Sequence, residues 1–325
     1  MIAERIGLVL LAVSATVVIA WAYLLFGDRL ISRLPRRLNR RVMPWLFVAP
    51  AVFVIGCLLV FPAISTVVLS LFDKDGSSFV GMQNYTDMLS NEITQGALRN
   101  TVLWVIALPS LAALLGLLVA VLAERVRYGT LVKATLFLPI AISPVAAGVI
   151  WTFMYDYQPP ITEQTGTMNA LVTLVPDTEP IAWLISQATN NWALIAAMLW
   201  TQAGFAMVIF SAALGSVPVE LHEAARLDGA SEWHVFRRIT LPLLIPTVVV
   251  VMTAMTVIAL KTFDIVYVMT NGNYGTDVIA TVMYKELFTA RDNGTAGAVA
   301  TLLMLAVLPV IFVNIRQFRL ENKEA

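Results

Sequence analysis

Apolar residues in this chain come in long runs, not in the alternating or one-faced patterns of water-soluble elements. Seven runs lie at residues 7–26, 45–71, 101–123, 136–155, 192–216, 246–269 and 298–315. Each approaches or exceeds what a helix rising about 1.5 Å per residue needs to cross about 30 Å of hydrocarbon. The pattern predicts an all-α, polytopic membrane protein. Pro62, Pro109, Pro139 and Pro144 fall in or beside the runs, breaks that membrane helices tolerate where neighbours satisfy the freed backbone groups. The first run follows Arg5, as the core of a signal peptide would. It is too long for one, and it ends in Tyr23, Leu24, Leu25 and Phe26 without a small-residue cleavage site. It reads as a retained helix.

Composition supports the membrane reading. The 325 residues are 59% hydrophobic and only 13% charged, whereas soluble domains carry about 25% charge. Formal net charge is zero, so the distribution of charge carries the information. Segments 27–44, 124–133, 217–245 and the tail from 316 hold 15 Lys and Arg, six of them between Arg29 and Arg41; the N-terminus with 72–100, 156–191 and 270–297 holds five. The basic set is predicted to be cytoplasmic, with the N-terminus outside and the C-terminus inside. The arginine-rich stretch 29–41 reads as an anchor at the lipid surface, not a nucleic-acid arm. Cys57 is the single cysteine, and His222 and His234 are the only histidines. Neither a disulfide framework nor a metal site is expected, and no catalytic residue is nominated.

The most specific pattern lies between the fifth and sixth runs, on the basic side. Ser216 is placed to cap a short helix, and Pro218 suits its first turn. Leu221, Ala224, Ala225 and Leu227 give it a compact apolar face, and Gly229 suits the left-handed residue that ends a helix. Ser231 is placed to cap a second short helix with a Trp233, Phe236, Ile239 stripe, and Pro242 is expected to break the chain before it re-enters the membrane. On these features alone, an amphipathic loop resting on the bilayer or on its own protein fits as well.

Glu223-Ala224-Ala225, Gly229 four residues later, and Ile239-x-Leu241-Pro242 resemble the signature loop of the membrane subunits of ABC importers. The resemblance covers about residues 45–316. It implies the six-helix core of a type I importer permease plus one extra N-terminal transmembrane helix. The divisions are then 1–44, 45–316 with the coupling loop at 217–245, and a cytoplasmic tail at 317–325. It further implies that the first short helix couples to an ATPase through Glu223, Ala224, Ala225, Asp228, Gly229, Ile239, Leu241 and Pro242. The implied partners are two ATPase subunits, a second homologous permease and an extracytoplasmic sugar-binding protein, the last docking on the outer segments. ATP and Mg would be held by the ATPases, with no cofactor on this chain. No Gly-x-x-x-x-Gly-Lys-Ser/Thr phosphate loop occurs here. Residues 261–270 look like the carbohydrate branch of the family. Asn271-Gly-Asn-Tyr-Gly-Thr276 replaces the usual Gly-Gly-Pro-like turn. With 137–143 and the extra first helix, that departure is most similar to permeases for alpha-glucosides or glucosylglycerol.

Candidates for the sugar path are Met198, Thr201, Gln202 and Phe205 before the loop, and Lys261, Thr262, Asp264 and Tyr267 after it. Gln202 offers hydrogen bonds and Phe205 an apolar ring, the two things a sugar needs. The related maltose permease holds its sugar at positions matching these helices. Ile258 and Ala259 also fall there but bring no side-chain hydrogen bonds, which leaves the partner permease as an alternative location. Met198 and Phe205 also suit plain helix packing. Lys261 and Asp264, three apart, are expected to share a helix face, either as an ion pair or in the path. Trp151, Trp192 and Trp200 read as membrane-interface anchors, with sugar stacking as the alternative, and His222 and His234 as solvated or at the ATPase contact.

Two other classes fit the sequence less well. A proton-coupled sugar carrier would use Asp264 as its protonatable group, but the loop would then have no purpose and no inverted repeat is visible. An intramembrane enzyme needs clustered acids, histidines or metal ligands, which these runs lack.

Overall fold

The structure, a computed structural model, describes residues 35–324 together with 21–23, 25, 26 and 29, and the side chains of all of these except 36, 37 and 313–324. The expected first span at 7–26 lies mostly outside the described residues.

Two compact units divide the chain, residues 1–66 and 67–325. In the first, α1 (Arg36–Ile55) passes through a π turn at Gly56–Val60 into α2 (Phe61–Leu69). Trp45, Phe47, Phe53, Leu58 and Phe61 leave its apolar side chains exposed, as hydrocarbon-facing residues must be. Tyr23 Oη donates to the Leu46 carbonyl at 3.1 Å.

The second unit contains α3 (Gln83–Ser90), α4 (Glu92–Glu124), α5 (Gly129–Phe137), α6 (Pro144–Met154), α7 (Thr167–Val172) and α8 (Asn190–Gly215). It continues with α9 (Val219–Leu227), α10 (Glu232–Val235), α11 (Leu241–Leu260), α12 (Asp264–Met269), α13 (Ile279–Tyr284) and α14 (Asn293–Glu324). No strand occurs among the described residues. Five helices among them are long and apolar enough to cross a membrane, or six if one sharply bent pair counts as a span.

Three spans differ from the sequence expectation. The run 136–155 is that bent pair, Gly129–Ala141 and Pro144–Met154, turned by 104°. Pro144 cannot continue the incoming helix, and Ser143 Oγ starts the next one by accepting from the Ala146 N–H at 3.2 Å. The run 246–269 is a helix from Glu232 to Leu260, a break, and then α12. Pro242 therefore does not interrupt the chain: a π turn at Phe236–Thr240 shifts the hydrogen-bond register just ahead of the proline, and the helix runs on. The run from 101 starts earlier, at Glu92, where the Asn91 side chain accepts from the Ile93 N–H at 2.8 Å.

Small residues set the packing. An added Cβ at Gly116 on α4 would lie 2.7 Å from Ala206 Cβ and 2.8 Å from the Met207 nitrogen on α8. The two helices touch almost backbone to backbone. Around this contact Met207, Phe210 and Met255 are fully buried, and Trp104, Leu108, Leu194 and Ile195 are fully buried in a second cluster. Trp151 packs on Tyr155 at 5.1 Å and on Trp200 at 6.0 Å, with Trp183 against Tyr155 at 5.8 Å.

The connection between α6 and α8 is organised by Asn169, which is fully buried. Its amide donates to the carbonyls of Asp156 and Ile181, and its oxygen accepts from the Ile181 N–H and Trp183 Nε1, all at 2.9–3.0 Å. Hydrogen bonds from Thr165 and Gln158 hold the Asp156 carboxyl below the usual carboxylate range. Asn100 ties α4 to the carbonyls of Gly275 and Asp277 at 2.7 and 2.8 Å.

Candidate functional site

The loop between α8 and α11 forms a helix that buries nothing. No residue of α9 is buried, and Leu227 is 89% exposed. Val219 and Leu221 are exposed beside it. Ser216 does not cap this helix: it closes α8 instead, its hydroxyl donating to the Ala213 carbonyl at 2.7 Å. Pro218 supplies the extended entry to α9. At the other end Asp228 is the C-terminal cap and Gly229 adopts φ +80°, a conformation that costs a side-chain-bearing residue but not glycine. Ser231 stands at the start of α10, yet its hydroxyl faces His234 Nδ1 at 2.8 Å and not a backbone N–H.

Three charged groups connect this loop to the spans. Arg226 Nε lies 2.8 Å from Glu232, and Arg125, just past the end of α4, lies 3.7 Å from the same carboxylate. His222 Nε2 meets Thr240 Oγ1 at 3.1 Å. The loop helix is thus joined to the ends of α4 and α11. Beside it, Asp228, Gly229, Val235, Arg238 and Ile239 line an open groove of about 560 Å³. Of the proposed coupling residues, Asp228, Gly229 and Ile239 meet at this groove. Glu223, Ala224 and Pro242 are exposed, and Ala225 and Leu241 are half-buried.

The sugar-path candidates do not converge on one cavity. Met198 and Thr201 are buried in the core, and the Thr201 hydroxyl is used by the Met198 carbonyl at 2.7 Å. Gln202 donates to Thr201 Oγ1 at 3.2 Å, and Phe205 packs in the Met207–Phe210–Met255 cluster. Thr262 is buried, its hydroxyl bonded to the Ile258 carbonyl at 3.1 Å. The expected common face of Lys261 and Asp264 does not form, because the chain leaves helical geometry between α11 and α12. Both are exposed, and among the described residues no ion pair joins them. Tyr267 stacks on Phe263 and faces Tyr284, at 5.0 and 5.1 Å.

Sequence reasoning missed the Arg125–Glu232–Arg226 cluster and the rings of Tyr284 and Phe288. The first joins residues more than a hundred positions apart. The second carried a readable signal, two aromatics four apart in a helical segment.

The comparisons with known proteins agree on the family. The model described as "binding-protein-dependent transport system inner membrane component" matches residues 77–323. The osmoprotective compounds uptake permease protein GgtC of Synechocystis is 44% identical over 86% of this chain and 99% of its own length. The alpha-glucoside transport system permease protein AglF of Rhizobium meliloti is 40% identical, covering 88% of this chain and 85% of that protein. A crystal structure of a bacterial ABC transporter importing alginate matches in fold, with a TM-score of 0.73 at 23% identity over 87% of this chain and 99% of that one. The chain belongs to the binding-protein-dependent transport system inner membrane components, the multi-pass permease subunits of ABC importers.

Proposed function

We propose that this permease passes an alpha-glucoside, or a related glycoside such as glucosylglycerol, across the cytoplasmic membrane by alternating access. It works with a second homologous permease, two ATPase subunits that hold ATP and Mg, and an extracytoplasmic sugar-binding protein. The N-terminus is outside and the C-terminus cytoplasmic, following the basic segments. Residues 1–44 add a helix and an arginine-rich linker to the 45–316 core. The relatives named for alpha-glucosides, lactose and trehalose or maltose support the sugar class.

The observation that carries the reading is the unburied loop helix. Its exposed Leu227 and the open groove at Gly229 and Ile239 suit a partner surface, and the charged cluster joins it to two spans. An ATPase closing beneath it moves both spans together. Gln202, Phe205, Asp264 and Tyr267 remain the candidates to meet sugar, with Met198, Thr201, Lys261 and Thr262 supporting them. Co-purification of the solubilised chain, with mass spectrometry of what accompanies it, tests the assembly. The binding protein is then screened against alpha-glucosides. A chain that purifies alone and still moves substrate overturns the proposal.

A further inference from the structure

Beyond the break that ends α11, four aromatic rings gather at one surface. Phe263 stacks on Tyr267 at 5.0 Å, Tyr284 meets Phe263 and Tyr267 at 5.0 and 5.1 Å, and Phe288 meets Tyr284 at 4.8 Å. Phe288 is 62% exposed and Tyr267 38%, so the rings form a floor and not a closed core. Beside them opens a cleft of about 360 Å³ whose walls bring Asn271, Lys285, Glu286 and Thr289 to Tyr267 and Tyr284. That size is at the lower end of ligand pockets.

Two features select the chemistry of an occupant. First, the positive charge on the wall is already answered: Lys285 Nζ lies 2.9 Å from Asp277, whose side chain is only 13% exposed. Burial, helped by nearby Asp292, pushes the Glu286 carboxyl above its usual range. The cleft therefore offers no free cation to an anion. Second, among the described residues Asn271, Glu286 and Thr289 spend no side-chain hydrogen bond on another protein group, while apolar ring faces lie next to them. A neutral ligand with one apolar face and an edge of hydroxyls matches both features, and a pyranose ring has that form.

We propose that this cleft is a separate carbohydrate subsite, where a glucosyl ring lies with its C–H face on Tyr267 and Tyr284 and its hydroxyls toward Asn271, Glu286 and Thr289. The inference rests on the sugar reading above. It places sugar contact on the far side of the α11–α12 break from Gln202 and Phe205.

The test uses the complete importer in proteoliposomes, with radiolabelled maltose, trehalose and glucosylglycerol as probes. Uptake is measured at saturating sugar-loaded binding protein, so that the binding protein's own affinity is not what is read. Tyr284→Ala is expected to lower the rate about three- to tenfold. Tyr284→Phe and Tyr284→Trp, which keep a ring face, are expected to retain it; Tyr284→Leu, which keeps apolar bulk without a ring, is not. If Leu serves as well as Phe, the position needs only apolar contact, as with a neighbouring permease, and the subsite is refuted. If Tyr284→Ala leaves uptake of all three probes unchanged, it is refuted as well. A wild-type importer that takes up none of the probes removes the sugar reading and the subsite with it.

Discussion

The turn at Gly229 gives the sharpest test of the coupling account. Its φ of +80° lies in the left-handed region, and a Cβ added there would meet nothing within 4 Å. Any penalty for a substitution is therefore conformational and not steric within this chain. For an L-residue that penalty is about 1–2 kcal/mol, a factor of about 5–30 against the native turn. Asn tolerates this region better than other side chains, while Val, branched at Cβ, pays more than Ala. The expected order of coupling is Gly, then Asn, then Ala, then Val. The assay is sugar taken up per ATP hydrolysed by the reconstituted importer. Asn is larger than Ala, so a clash with a docked ATPase would invert their order, whereas a backbone effect keeps Asn ahead. Equal, wild-type coupling in all three variants would show that the left-handed turn is not needed and would refute the reasoning.

Other parts of the fold make further predictions. Gly116→Val forces side-chain atoms into the 2.7 Å approach to Ala206 and should destabilise the α4–α8 contact by about 1–3 kcal/mol; an unchanged melting temperature in detergent would contradict the packing described. Arg226→Glu, which sets two carboxylates against each other at the 2.8 Å contact, should lower uptake per ATP more than Arg226→Gln does; wild-type uptake per ATP in both variants points away from the pair. Gln202→Ala should slow uptake without changing the amount of assembled complex on a native gel; unaltered rate and selectivity place sugar elsewhere. The Asp156 carboxyl is held low by Thr165 and Gln158, so its contribution to the 156–166 loop is complete above the ordinary carboxylate pKa and is lost as pH falls through the lowered one. Protection from hydrogen exchange, relative to the intrinsic rate at each pH, should fall across this loop over that acid range, and Asp156→Asn should remove that fall.

Apolar runs locate spans well because hydrocarbon demands helices of a minimum length. They place ends poorly, because a helix may continue past the hydrocarbon, as at Glu92 and Glu232. The 104° bend was flagged by Pro139 and Pro144, but its angle depends on packing that no local pattern records. The break after Leu260 has neither proline nor glycine to mark it. Gly229 was legible because its conformation is local and only glycine adopts it freely. Ser216 misled, because two helices compete for one hydroxyl and α8 takes it. Met198 and Thr201 have the spacing of a lining face, yet the core claims them; which side of a membrane helix meets lipid, core or path is a tertiary property.

The helix from Glu232 to Leu260 works as a lever. Its 29 residues span about 43 Å at about 1.5 Å each, and a tilt of about 5° of the roughly 21 Å that follow Pro246 moves their end by about 2 Å. The near end carries Val235 and Ile239 at the loop groove, and the far end carries Ala259 and Leu260 beside the break. Both compliant points, the π turn at Phe236–Thr240 and Pro246, sit in the near half. The 14 residues after Pro246 form a stiff arm. A rocking of the loop helix is thereby carried to the break as a swing of that arm, without any unwinding of the arm itself.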